Sequence, residues 1–93
     1  MDEEVNRTSL TQAFLAWKAS LTRYVATFFV SREDIEDTVQ EVYLQALASE
    51  RTTEIRSPSS YLFRVARNIA LNKKARQRKV FFENLEQFGD SIG

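Results

Sequence analysis

The sequence predicts an all-α fold, a small bundle of three or four helices. Apolar residues recur every three or four positions along most of the chain, which is the spacing of a buried stripe on a helix. No segment shows the sustained alternation of apolar and polar residues that is typical of a half-buried strand. The 93 residues are the size of one small domain, and the single proline, Pro58, stands where a helix is expected to begin.

The first predicted helix covers residues 10–30. Ser9 precedes it and is a suitable N-cap, because its side-chain oxygen can accept a hydrogen bond from a free amide of the first turn. The residues that form its apolar stripe are Leu10, Phe14, Trp17, Leu21, Tyr24 or Val25, and Phe28.

The second predicted helix begins after Ser31 and ends near Ser49. Ser31 and Asp34 have the spacing of a capping box, and acidic residues fill the first turns, where the helix dipole favours negative charge. Its buried stripe consists of Ile35, Val39, Val42 and Ala46, flanked by Tyr43 and Leu47. The polar residues 50–56 then predict a loop.

The third predicted helix has the clearest start in the sequence, with Ser57 at the N-cap and Pro58 at the first helical position. Its inner face is predicted to consist of Leu62, Val65, Ala66, Ile69 and Ala70. A further amphipathic segment contains Val80, Phe81, Phe82, Leu85 and Phe88. We expect residues 1–93 to form one domain with its core at about 10–79, in which 80–93 either packs back on the bundle or starts a linker.

The composition argues against an enzyme. The chain contains no cysteine and no histidine, which excludes disulfides, thiolate metal sites, a serine–histidine triad and an imidazole base. The two glycines, Gly89 and Gly93, lie near the end of the chain, so no glycine-rich phosphate loop is present. We therefore expect no catalytic residue, no metal and no cofactor.

The net charge is zero, but the charges are unevenly distributed. Residues 1–50 contain nine acids and four bases, whereas residues 51–93 contain four acids and nine bases. Eight bases and no acid occur over residues 56–79, which predicts a polyanionic partner for that half. The acidic start has no features of a signal peptide, and no apolar run is long enough to span a bilayer, so we expect a cytoplasmic protein.

Two groups of residues stand out on the predicted helices. Asp37, Gln40, Glu41 and Leu44 share one face of the second helix, which is either an ordinary solvated face or a docking surface. On the third helix, cations suit phosphates, an amide suits base edges, and an aromatic ring suits stacking. The residues of this second group are Tyr61, Arg64, Arg67, Asn68, Lys73 and Lys74. The alternative is that Tyr61 belongs to the core and the cations only keep the surface soluble.

Read in order, these segments resemble a known family. Residues 33–44, EDIEDTVQEVYL, and residues 55–70, IRSPSSYLFRVARNIA, resemble two motifs of region 2 of bacterial sigma factors of the sigma-70 family. The resemblance covers about residues 10–79 and is nearest to the extracytoplasmic-function class, and within it to the iron-uptake-regulating subgroup. It implies an N-terminal domain of an alternative sigma factor, which acts in transcription initiation.

The resemblance implies two binding surfaces. The second helix would dock on the β′ clamp helices of core RNA polymerase through Asp37, Gln40 and Glu41, with Tyr43 and Leu44 beside them. The third helix and the loop of residues 53–57 would recognise the promoter −10 element as flipped-out single-stranded DNA. The pocket would contain Arg56, Ser57, Tyr61, Arg64 and Asn68, and the phosphates would be held by Arg67, Lys73, Lys74, Arg76 and Arg78.

Two departures from the family pattern qualify these expectations. Arg64 and Val65 stand where housekeeping sigma factors carry a tryptophan pair, as is common in the extracytoplasmic-function class. The chain also contains nothing that resembles the helix-turn-helix domain that reads the −35 element. Family members are often held inactive by an anti-sigma factor, which can be membrane-anchored. The alternative is therefore a module that binds polymerase or an anti-sigma factor without reading DNA itself.

Overall fold

The computed structural model describes the backbone of residues 9–50 and 55–92 and the side chains of residues 9–50 and 55–87. It contains three helices in these ranges: α1 (Leu10–Val25), α2 (Arg32–Glu50) and α3 (Pro58–Ile92). None of the described residues lies in a strand. The predicted all-α fold is therefore confirmed, and the predicted fourth segment belongs to the third of the described helices.

Helix α1 begins where the sequence predicted and ends earlier. The Ser9 side chain accepts a hydrogen bond from the Gln12 amide at 3.0 Å, which confirms it as the N-cap. The predicted end at residue 30 is wrong, because the amides of Thr27 and Phe28 bond to carbonyls three residues back instead of four. This tighter turn ends α1 at Val25 and leads the chain into α2.

The apolar stripe of α1 is buried except at one position. Leu10, Phe14, Leu21 and Val25 are buried, as the spacing predicted. Trp17 is 43% exposed, so its assignment to the core stripe is wrong. Its indole lies at the edge of the bundle, where it packs edge-on against a ring of α3.

Helix α2 follows its predicted pattern closely. The Asp34 amide donates to the Ser31 side chain at 3.4 Å, so Ser31 caps the helix. Val39, Val42 and Ala46 are buried against the other helices. The helix ends at Glu50, one residue beyond the predicted end.

Helix α3 begins at Pro58 as predicted, and its first half forms the third wall of the core. The Tyr61 amide donates to the Ser57 carbonyl at 3.0 Å, which opens the helical hydrogen-bond pattern. Leu62, Ala66 and Ala70 are fully buried against α1 and α2. Since these residues recur at every fourth position, one narrow face of α3 carries the packing.

The second half of α3 does not fold back on the bundle. The helix continues without a break for 35 residues, and Val80, Phe81, Phe82 and Leu85 are each about half exposed. A helix of this length spans about 50 Å, and the molecule is elongated, with extents of 71 × 24 × 15 Å. No helix in the described part of the chain is both long enough and apolar enough to cross a membrane.

Candidate functional site

The five residues predicted to form a docking surface on α2, here called the α2 surface, differ in exposure. Gln40 and Leu44 lie one turn apart and are exposed, Leu44 at 54%. Neither makes a hydrogen bond or ion pair with another described residue. Tyr43 is half-buried because its ring packs on Phe14 of α1, with 5.1 Å between ring centroids. Gln40 and Leu44 are therefore the members of the α2 surface that are free to contact another molecule.

An open groove of about 560 Å³ runs between α1 and α2 beside this surface. Gln40 and Tyr43 line one wall, and Leu15 and Lys18 of α1 line the other. Leu15 is 64% exposed, so the groove includes exposed apolar area on α1. This second wall could not be predicted from the sequence, because nothing in it indicates which α1 residues face α2 at the surface.

Asp37, the acidic end of the α2 surface, binds a cation of this same chain. Lys73 of α3 donates to the Asp37 carboxylate, and its ammonium lies 3.9 Å from Oδ1 of Asp34. Gln77 also donates to Asp34, at 3.1 Å. The Lys73 side chain is only 14% exposed. These contacts join α2 to α3, so Asp37 has a structural role that the sequence did not reveal.

Glu41 is the least accessible acid of the α2 surface. Its Oε2 atom is fully buried and has no hydrogen-bond partner among the described residues. The hydroxyl of Thr38, one turn earlier, is also buried and also has no hydrogen-bond partner among the described residues. An unpaired buried polar group costs about 1–3 kcal/mol. A substitution of Glu41 would therefore change the packing of α2 as well as its surface.

Arg64, Arg67 and Asn68, here called the α3 surface, occupy one exposed face of α3. They are spaced by three and four residues, so they are neighbours on the helix. Leu62, Ala66 and Ala70 on the same turns face the core. None of the three α3-surface side chains forms an ion pair with another described residue. The first half of α3 thus presents two cations and an amide on a backbone fixed by packing.

The start of α3 holds the remaining pocket residues. Tyr61 is half-buried, and its hydroxyl lies 2.6 Å from the Ser49 hydroxyl at the end of α2. This bond fixes the ring at the junction of the two helices, so Tyr61 belongs in part to the core. Arg56 and Ser57 are exposed. Residues 53 and 54 of the predicted pocket loop lie outside the described residues.

The cations that follow the α3 surface divide into two groups. Like Lys73, Lys74 binds other residues of this chain. Its ammonium donates to the Phe28 carbonyl at 2.6 Å and lies 5.8 Å from the centre of the Phe29 ring. Both lysines thus tie α3 to the rest of the bundle. Arg76 and Arg78 are exposed, and neither is in an ion pair within the described ranges. The sequence could not separate these groups, because their partners lie more than 30 residues away.

A hydrogen-bonded carboxylate joins the other end of α2 to α1. The Thr11 amide and hydroxyl both donate to Glu50, each at 3.2 Å. The hydrogen bond from the Thr11 amide is the main cause that holds the pKa of Glu50 below its usual value, although partial desolvation opposes it. The sequence assigned Glu50 to a loop and missed this contact.

The described residues include no group of three acidic side chains that could hold a metal ion.

Comparison with known proteins identifies a family. A model of the family described as Sigma-70 region 2 matches residues 13–80. The matched residues include nearly all of α1, the whole of α2, and the part of α3 that packs on them. No curated protein and no solved structure matches the chain.

Proposed function

Since the chain belongs to the sigma-70 region 2 family, we propose that it is the region 2 domain of an alternative sigma factor of the extracytoplasmic-function class. Membership of the family assigns the chain a part in promoter recognition, which implies binding to core RNA polymerase and to promoter DNA. The class is supported by Arg64 and Val65, which occupy the positions of the tryptophan pair of housekeeping members. The same resemblance supports the iron-uptake-regulating subgroup and an anti-sigma factor as a further partner.

We propose that the α2 surface docks on the β′ clamp helices of polymerase. Gln40 and Leu44 are the residues that make the contact, because both are exposed and unpaired within the described chain. Acidic side chains around them would attract a basic coiled coil and set its register, which raises the association rate more than the affinity. Asp37 contributes its charge while bonded to Lys73, and Glu41 lies half-buried beside the exposed residues with its Oε2 atom unpaired among the described residues.

We propose that the α3 surface reads a flipped-out base of the −10 element. One observation carries this proposal: Arg64, Arg67 and Asn68 are exposed on a helix face whose opposite side is fully buried. Taking a base out of its stack costs a few kcal/mol. A pocket held rigid by the core can offset that cost through stacking on the Tyr61 ring and hydrogen bonds from Asn68.

The contacts within the chain also refine which cations bind phosphate. Arg67, Arg76 and Arg78 are exposed and unpaired within the described ranges, so they are the phosphate ligands that we propose. Lys73 and Lys74 use their ammonium groups to hold α3 on the bundle. They contribute to DNA binding mainly by keeping the α3 surface in place.

The test is single-stranded DNA binding by the wild-type chain, Asn68→Ala and Arg67→Ala, with oligonucleotides that vary one base at a time. Asn68→Ala should lose preference at one base position and keep the salt dependence of the wild type. Arg67→Ala should weaken all sequences alike and reduce the salt slope by about 0.7. Uniform weakening by Asn68→Ala would remove that residue from base recognition. If the wild-type chain binds no single strand, the module without DNA readout becomes the better description.

A further inference from the structure

The second half of α3 carries a shallow groove whose aromatic residues have none of the roles described above. Its lining includes Leu71, Arg78, Lys79, Phe81 and Phe82, and no acidic residue among the described ones lines it. The two phenyl rings contact each other edge-on, with 5.7 Å between their centroids. Each ring is more than half exposed, because no other part of the described chain covers it. We call this feature the distal groove.

One side of the distal groove continues the α3 surface, and its other side is lined by Lys74 and Gln77, which bond to the bundle. Positions seven residues apart lie on nearly the same face of an α-helix, with a drift of about 20° per seven residues. Phe82 follows Asn68 by fourteen residues, whereas Phe81 follows Lys74, which bonds to the Phe28 carbonyl, by seven. Arg64, Leu71, Arg78 and Leu85 form a parallel row, and all four are exposed. The exposed face of the first half therefore continues through Leu71 and Arg78 to Phe82, with Phe81 at the edge of that surface.

We propose that the distal groove binds single-stranded DNA that leaves the α3 surface, with bases stacked on Phe81 and Phe82. This inference rests on the proposed reading of the −10 strand and adds a second contact region to it. Cations beside aromatic rings are the combination that holds single strands without regard to sequence. Arg78 and Lys79 would bind phosphates at the same level of the helix.

The distances on the helix fit one continuous strand. Fourteen residues of α-helix rise about 21 Å. Stacked bases are spaced by about 3.4 Å, so about six nucleotides separate Asn68 from Phe82. A strand whose flipped base occupies the pocket would therefore reach the phenyl rings about six nucleotides further along.

A single strand accounts for the composition of the groove better than a second copy of the chain does. Arg78 lies in the central row between the two phenyl rings, and no acidic residue lines the groove among those described. If a second copy packed on this groove, Arg78 would become buried and would need a carboxylate opposite it. Glu83 and Glu86 lie beyond the groove lining. Phosphates, in contrast, meet the cations of the groove directly.

The test compares the binding of a short and a long oligothymidylate, of about five and about twelve nucleotides, at one low salt concentration. The variants are Phe81→Ala/Phe82→Ala and the control Val80→Ala. Val80 is as exposed as the two phenyl rings but lies in the row of Ala66 and Lys73, which faces the bundle. A further variant, Phe81→Trp/Phe82→Trp, keeps the stacking surface.

We expect the wild-type chain to bind the long oligonucleotide more tightly than the short one. The double alanine variant should lose at least about fivefold in affinity for the long strand and less than about twofold for the short one. Val80→Ala should match the wild type, and the tryptophan variant should restore the affinity for the long strand.

An equal ratio of long-strand to short-strand affinity in the wild type and the double alanine variant would overturn the proposal. The proposed −10 reading would then still stand if Asn68→Ala changes base preference, and both would fail if the wild type binds neither strand. Sedimentation of the same variants tests whether a second copy of the chain occupies the groove instead. A dimer of the wild type that the double alanine variant abolishes would assign the groove to a second copy and overturn DNA binding there.

Discussion

The two halves of α3 both have an exposed face, but only the first half packs on the other two helices. Residues 58–77 pack on both other helices, and their inner face is buried through Leu62, Ala66 and Ala70. Residues 78–92 continue the same helix beyond Gln77, which bonds to Asp34 of α2. The first half exposes mainly cations and an amide, and the second half exposes Phe81, Phe82 and Leu85.

The difference indicates what each half can do. A pocket that accepts one flipped base needs side chains held in fixed positions, and tertiary packing provides this for the first half. Stacking of successive bases tolerates a mobile support, because every base has a face that can stack. An unsupported helix of about fifteen residues is only marginally stable in water. The second half therefore suits contacts that do not depend on exact placement.

The largest difference between the halves is expected in the free energy of unfolding. Leu62→Ala should lower it by about 2–5 kcal/mol, because the side chain is fully buried and leaves a cavity. Leu85→Ala should change it by less than about 0.5 kcal/mol, because that side chain is half exposed and is not part of the core cluster. Urea unfolding followed by circular dichroism measures both. Equal losses would mean that the second half is packed in solution.

A smaller effect separates the cations that tie α3 to the bundle from those that stay free. Lys73→Ala should lower the free energy of unfolding by about 1–2 kcal/mol, because it leaves Asp34 and Asp37 without their cation. Arg67→Ala should leave stability within about 0.5 kcal/mol. For single-stranded DNA binding we expect the opposite, because only Arg67→Ala should reduce the salt slope. A salt slope that falls equally in Lys73→Ala would return Lys73 to the phosphate ligands.

The junction of α2 with the first half of α3 gives the next effect. Tyr61→Phe removes the hydrogen bond to Ser49 and should lower the free energy of unfolding by about 0.5–1.5 kcal/mol. The ring itself remains, so stacking of a base on it should persist and DNA affinity should change little. Thermal unfolding and oligonucleotide binding together measure this. A large loss of DNA affinity at unchanged stability would show that the hydroxyl, and not the ring, contacts DNA.

The smallest effect concerns acid stability, which depends on the packed part of the molecule. Hydrogen bonds from Thr11 lower the pKa of Glu50 from its usual 4.5, so the folded state favours the ionised form. This contribution is present above pH 4.5 and is lost as the pH falls through the lowered pKa. Glu50→Gln should therefore be less stable than the wild type near neutral pH, and the difference should shrink in acid. Urea midpoints across that range measure it, and a difference that does not depend on pH would contradict the assignment.

The sequence predicted the starts of the helices better than their ends and their mutual contacts. Capping residues Ser9 and Ser31 and the Ser57–Pro58 pair are local signals, and all three helices begin there. The end of α1 depends on a tight turn that periodicity does not reveal. The continuation of α3 did have a signal, since no glycine or proline occurs between Pro58 and Gly89.

The candidate site was predictable by residue type and only in part by role. The exposed positions Gln40, Leu44 and Arg67 follow from helical spacing, which the structure reproduces. The pairing of Asp37 with Lys73 spans 36 residues, and charge alone does not tell which acid meets which base. Variants that combine Asp37 or Glu41 with Gln40 would therefore mix a loss of docking with a loss of packing.

The most direct test of the division between α2 and α3 is a pull-down of core RNA polymerase by the wild-type chain and by Gln40→Ala/Leu44→Ala. The matched control is Asn84→Ala/Leu85→Ala, which removes an amide and a leucine from the second half of α3. We expect the α2 variant to lose polymerase while its circular dichroism and single-stranded DNA binding stay unchanged, and the control to bind as the wild type does. Wild-type binding by a folded Gln40→Ala/Leu44→Ala variant would contradict docking through α2.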